Sequence, residues 1–130
     1  MSERKKTLSE VRVIVIDDND TTRAMLRSIL RSEGVQVVAE ARDGATGVEM
    51  VRKFRPEIVC LDVLMPDIGG LEVLARIRAE FPDVRVVMVT GATDRETVEG
   101  AIGGGALAYL VKPFNVAKVL AALEMAMARK

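Results

Sequence analysis

A single cysteine, Cys60, stands in this chain of 130 residues, so no internal disulfide forms and packing alone must hold the fold. That usage fits a reducing cytoplasm. Aromatic residues make up only 3% of the chain against 49% hydrophobic residues overall, so the core is aliphatic: Val, Ile, Leu, Ala and Met. Neither sign of charge is in excess. Lys and Arg number 19 and so do Asp and Glu, leaving no basic field to draw the chain to nucleic acid. No apolar run approaches the roughly 18 residues that cross a bilayer, so no membrane partner is expected. The opening MSERKKTLSE lacks the apolar stretch of a secretory signal. Repeats and low-complexity linkers are missing too. The length fits one domain that buries its core without staples. Residues 1–10 read as an N-terminal tail, with Arg4–Lys6 a solvated cluster, and residues 11–130 as the folded unit.

Five short apolar stretches are present: Val11–Ile16, Val35–Ala39, Ile58–Leu61, Val84–Val89 and Ala106–Val111. Most are continuous runs rich in Val and Ile, the pattern of parallel strands buried on both faces. Helical spacing fills the gaps. Met25, Leu26, Ile29 and Leu30 share one face of a first helix, with Gly34 placed just past its end. Val48 and Val51 mark a second helix ending before Pro56, and Leu71, Leu74 and Ile77 a third closed by Pro82. Val98, Ala101 and Ile102 mark a fourth. Val116, Val119, Leu120, Leu123 and Met127 give the fifth and cleanest stripe. Strand and helix alternate throughout, which predicts an α/β fold with right-handed crossovers and helices on both faces of the sheet.

In a parallel sheet all strands end on one edge, and ligands of open α/β sheets bind there. The strand ends bring Asp17 and Asp18, Asp62, Thr90 and Lys112 to that edge. Adjacent carboxylates repel, and burial raises their pKa; a hard divalent cation resolves the conflict. Mg²⁺ prefers oxygen and commonly takes one or two carboxylates together with phosphate oxygens. A carboxylate can also act as a nucleophile toward phosphorus, with cation and lysine neutralising the transferring group. Asp62 stands alone and is the better nucleophile, whereas Asp17 and Asp18 form a metal-binding pair.

Four segments carry a resemblance: VIDDND, CLDVLMPDIGG, VMVTGA and AYLVKPFN, in this order and each at a strand end. Over residues 10–130 the chain resembles the receiver domain of bacterial two-component response regulators, the CheY-like group. The resemblance implies a flavodoxin-like, doubly wound, five-stranded parallel sheet in the order 2-1-3-4-5 with five flanking helices. Asp62 would be the phosphoacceptor. Asp18 would ligate Mg²⁺, with Asp17 beside it and the Leu64 backbone carbonyl as a further ligand. Lys112 would pair with Asp62 and the phosphoryl group. Thr90 would be the switch hydroxyl, Tyr109 the switch aromatic, and the Lys112–Pro113 peptide cis. Implied partners are a sensor histidine kinase or phosphotransfer protein, and an unidentified output partner or domain engaged by the fourth helix, fifth strand and fifth helix. A phosphorylation-dependent dimer is a further implied state. The chain would be a stoichiometric phosphoacceptor rather than an enzyme. Leu64 and Ala92 stand where the family flanks the path of the hydrolytic water, and neither side chain can activate it, so self-dephosphorylation is expected to be slow.

Plainer roles fall to other residues. Asp20 reads as a helix cap, Asp43–Gly44 and Asp94 as turn and cap residues, and Asp67 as exposed loop. Cys60 reads as a small buried hydrophobe. Met125 and Met127 read as core filler, with a docking face as the other option. Gly100 and Gly103–Gly105 loosen the fourth helix and the turn after it. A haloacid-dehalogenase-like phosphatase also uses a strand-end Asp, but its D-x-D is here Asp62-Val63-Leu64, without the second acid. A flavin- or nucleotide-binding domain needs a glycine-rich loop after the first strand, where acids stand instead. The sequence contains no DNA-binding segment; a stand-alone regulator and the receiver of a longer protein are both compatible with it.

Overall fold

The computed structural model describes residues 7–65, 67–91 and 95–128, and for residues 95–98 the backbone alone. The features read at Arg4–Lys6, Pro66, Ala92 and Asp94, and the Val98 side chain, lie outside the described residues. A 3-10 turn over Leu8–Glu10 leads into β1 (Arg12–Ile16), α1 (Asp20–Ser32), β2 (Gln36–Ala41), α2 (Gly44–Phe54) and β3 (Ile58–Asp62). There follow α3 (Gly70–Glu80), β4 (Arg85–Thr90), α4 (Arg95–Gly103), β5 (Ala108–Val111) and α5 (Val116–Ala128). The strands form one parallel sheet in the order β2-β1-β3-β4-β5.

The continuous apolar runs arise because the sheet faces two cores at once. Along β1, Val13 and Val15 enter one cluster and Ile14 and Ile16 the other. β3 divides in the same way, Cys60 to the first core and Val59 and Leu61 to the second. Leu26 and Leu30 of α1 and Val119 and Leu123 of α5 close the first core. Val48, Val51, Val73, Leu74 and Ile77 of α2 and α3 close the second. Each fully buried Val, Ile or Leu contributes about 1.5–3 kcal/mol, so successive residues of the central strands stabilise opposite layers. Cys60 is buried in an apolar setting that pushes its thiol pKa up to about 12, in keeping with an inert hydrophobe.

Several boundaries differ from the sequence reading, for identifiable reasons. β2 starts at Gln36 because the Val35 N–H is spent on Leu30 O at the end of α1, where Gly34 adopts a φ of +82°. β5 starts at Ala108 because the Ala106 N–H likewise closes α4 by donating to Ala101 O. β2 runs on to Ala41 through the charged Glu40, which an edge strand tolerates because Arg27 of α1 binds both its oxygens at 2.9 Å. Asn19, not Asp20, is the N-cap of α1 and accepts from the Thr22 N–H at 2.9 Å. Asp20 begins the helix and pairs with Arg23. Met25 lies half exposed, outside the buried stripe of Leu26 and Leu30. Met127 packs against the first core, whereas Met125 is exposed.

Candidate functional site

The parallel strands deliver their C-terminal residues to one rim. Asp17 follows β1, and its N–H still pairs with Ala41 O at 3.0 Å, which carries the backbone one step past the strand. Asp62 is the last residue of β3 and Thr90 the last of β4. Lys112 follows β5, anchored by its N–H on Thr90 O at 2.8 Å, and the Lys112–Pro113 peptide is cis. Among the described residues, Asp17, Asp62 and Thr90 are the buried polar ones, with exposures of 1%, 5% and 4%. Asp18 faces solvent. One carboxylate oxygen from each of Asp17, Asp18 and Asp62 lies within 4.8 Å of the others.

Charge is unbalanced at this rim. The Lys112 ammonium stands 3.4 Å from Asp62 Oδ1 and 3.8 Å from Asp17 Oδ2. One lysine cannot neutralise three carboxylates. Asp17 Oδ1 accepts the Asn19 N–H at 2.9 Å, but the buried Oδ2 has no hydrogen-bond partner. A buried carboxylate oxygen without a partner is costly. Burial, and then the neighbouring Asp17 charge, push the Asp62 pKa up to about 6, against the opposing pull of Lys112. An all-oxygen donor set with surplus negative charge and an orphaned oxygen fits a hard divalent cation of the Mg²⁺ type.

Every residue assigned to the rim from sequence lies on a strand end or just past one. Leu64 sits two residues beyond Asp62 in the loop before α3, its side chain 77% exposed. Tyr109 lies on β5 opposite Met88, with its ring turned partly to solvent. Two contributors were not read from sequence. Arg23 donates to the Asp17 carbonyl at 2.8 Å and pairs with Glu40 at 3.3 Å, bracing the turn that presents Asp17 and Asp18. Asp67, read as plain exposed loop, is exposed yet fully engaged: its carboxylate accepts the Gly44 and Ala45 N–H groups at 3.0 and 3.1 Å. Helical spacing from Asp20 hints at Arg23, but its reach to Asp17 depends on the turn geometry. The Asp67 contact spans 23 residues and leaves no local signal.

Comparison with known proteins bears on this geometry. The family model described as response regulator receiver domain matches residues 13–124. The chain is 38% identical over 116 residues to the chemotaxis protein CheY of Listeria monocytogenes, covering 89% of this chain and 98% of that protein. Its fold is similar to the signal receiver domain of NarL from Mycobacterium tuberculosis, with a TM-score of 0.87, 30% identity and coverage of 92% and 98% of the two chains. It is also similar to a chain of the CheX–CheY–BeF₃–Mg²⁺ complex from Borrelia burgdorferi, with a TM-score of 0.86, 30% identity and coverage of 92% and 90%.

Proposed function

The chain belongs to the response regulator receiver domain family, and from that premise we propose that it is a phosphoacceptor switch whose acceptor is Asp62. The observation that carries this reading is the buried Asp62 carboxylate held against Lys112, beside an Asp17 Oδ2 that accepts no hydrogen bond. Asp17, Asp18, Asp62 and the Leu64 carbonyl would hold Mg²⁺. Bound there, the cation would neutralise the carboxylates and the charge on a phosphoryl group.

The donor is a phosphohistidine of a sensor kinase or phosphotransfer protein. An Asp62 oxygen attacks phosphorus in line, the O–P bond forms, and the P–N bond breaks with its electron pair returning to the imidazole. Burial helps by stripping water from the carboxylate, and it keeps water from the product. Lys112 screens the charge of the incoming group and afterwards pairs with the acyl phosphate. The Thr90 hydroxyl then donates to a phosphoryl oxygen. Tyr109, outward in the present structure, moves into the space Thr90 leaves, which changes the face formed by α4, β5 and α5 for an output partner or a second copy. Leu64 and Ala92 give water no base, so the phosphoryl group persists.

The haloacid-dehalogenase-like reading fails on Leu64, an exposed apolar residue at the place of that family's second acid. Phosphotransfer profiling against purified histidine kinases tests the proposal. One or a few kinases are expected to label the chain in the presence of Mg²⁺ and to leave Asp62→Asn unlabelled. Equal labelling of Asp62→Asn would refute it.

A further inference from the structure

The loop between Asp62 and α3 carries Leu64, whose carbonyl the function proposed above would give to the cation. Its base is fixed by the Gly70 N–H, which donates to Val63 O at 2.8 Å. Its own Asp67 ties it to the start of α2. Both oxygens of Asp67 are used, Oδ1 on the Gly44 N–H and Oδ2 on the Ala45 N–H, the first two residues of α2. The loop backbone at Ile68 and Asp67 adds further donors to the same carboxylate, and together these hold its pKa down at about 2. The third free N–H of α2, that of Thr46, goes to its own N-cap Asp43 at 2.7 Å. Two carboxylates therefore divide the start of this helix, one local and one from the loop, and the positive end of the helix dipole favours both. Contact is close enough to need glycine at position 44. A Cβ there would meet Val73 Cγ2 at 2.7 Å and the Ile68 carbonyl oxygen at 3.3 Å.

We infer that Asp67 is a positioning residue for the cation site: by clamping the loop to the start of α2 it fixes the Leu64 carbonyl beside Asp17, Asp18 and Asp62. This deepens the function proposed above and rests on it. α2 is anchored in the second core through Val48 and Val51, and the loop rests on that core through Val63, Met65 and Ile68, so the Asp67 clamp is what ties the loop's polar side to the helix. Cutting the clamp leaves the loop its apolar contacts alone, while α2 keeps its own cap. Removing the cap at Asp43 does the reverse, weakening α2 without freeing the loop.

The test is Mg²⁺ titration of the full chain by NMR chemical shift, alongside thermal melting, for wild type, Asp67→Ala, Asp67→Asn and Asp43→Ala. Asp67→Ala is expected to weaken Mg²⁺ binding roughly tenfold, in the range typical for groups that orient metal ligands. Asp67→Asn, which keeps one acceptor, is expected to fall between it and wild type. Asp43→Ala is expected to melt earlier with its Mg²⁺ affinity unchanged. Wild-type affinity in both Asp67 variants would overturn the inference, and so would equal weakening by Asp43→Ala. Should Asp67→Ala fail to fold, the comparison of Asp67→Asn with wild type and Asp43→Ala decides. Absence of Mg²⁺ binding in the wild type would remove the proposed function along with this inference, whereas binding unaffected by Asp67 would remove the inference alone.

Discussion

The Lys112 ammonium lies 3.4 Å from Asp62 Oδ1, an ion pair between residues 50 positions apart that joins the ends of β5 and β3. β4 separates those strands, so only a flexible four-carbon stem reaches across. The same ammonium lies 3.8 Å from Asp17 Oδ2, where it competes with any cation bound by that oxygen.

Lys112→Ala should therefore have opposed effects on two measurements. Labelling of Asp62 by acetyl phosphate is expected to slow by roughly 100-fold, the usual loss when a charge-stabilising donor is removed. Mg²⁺ affinity, followed by NMR titration, is expected to rise because a competing cation has gone. A parallel fall in both would show that Lys112 only supports the local fold.

Asp62 makes the metal-free protein pH-sensitive in a defined direction. Its ordinary pKa of 3.8 rises to about 6 in the fold, chiefly through burial. As pH climbs from about 4 to about 6, the unfolded chain releases this proton first, so stability falls across that window and stays lower above it. Asp62→Asn removes the penalty. In metal-free buffer at pH 7 it is expected to raise Tm by about 4 °C, corresponding to about 1 kcal/mol. The gain should disappear at low pH, below the window in which wild-type Asp62 titrates. Melting curves across pH in the presence of a chelator provide the check.

Gly70 and Gly69 should respond differently to the same substitution. A Cβ at Gly70 would stand 2.4 Å from the Asp62 carbonyl oxygen and 2.6 Å from Val63 Cα, and backbone cannot swing aside. No heavy atom lies within 4 Å of a Cβ built at Gly69. Gly70→Ala is expected to cost about 3 kcal/mol, at the upper end for overpacking, and Gly69→Ala close to nothing. Urea unfolding of both variants measures the difference.

Persistence of the phosphoryl group should depend on Leu64 and Ala92, the two apolar positions that would flank the path of the hydrolytic water. Leu64→Asn combined with Ala92→Glu supplies polar groups able to orient and activate water. The half-life of the phosphorylated protein is expected to shorten by at least roughly tenfold, a modest share of what general base catalysis can provide. An unchanged decay of radiolabel would place the cause of slow hydrolysis elsewhere.

Much of this architecture was legible in the sequence because its central strands are buried on both faces. Runs such as Val13–Ile16 have no polar face to disguise them, and the acids at their ends mark the rim. The edge strand was harder: Glu40 interrupts the apolar pattern of β2 and is accommodated only by Arg27 across the helix layer. Strand starts were misplaced where a backbone N–H, such as that of Val35 or Ala106, closes the preceding helix. Asn19 and Asp20 are both good caps, and which one takes the role depends on where the turn after Asp17 releases the chain. The Asp67 clamp was invisible for a simpler reason. It joins a loop to a helix start through backbone donors, which carry no side-chain signature.

Intact-mass spectrometry after exposure to acetyl phosphate and Mg²⁺ tests the central claim most directly. The account predicts a single phosphoryl adduct that requires the cation, maps to Asp62, and is absent from Asp62→Asn. No adduct on the folded wild-type chain, or one that survives the Asp62→Asn substitution, would contradict it.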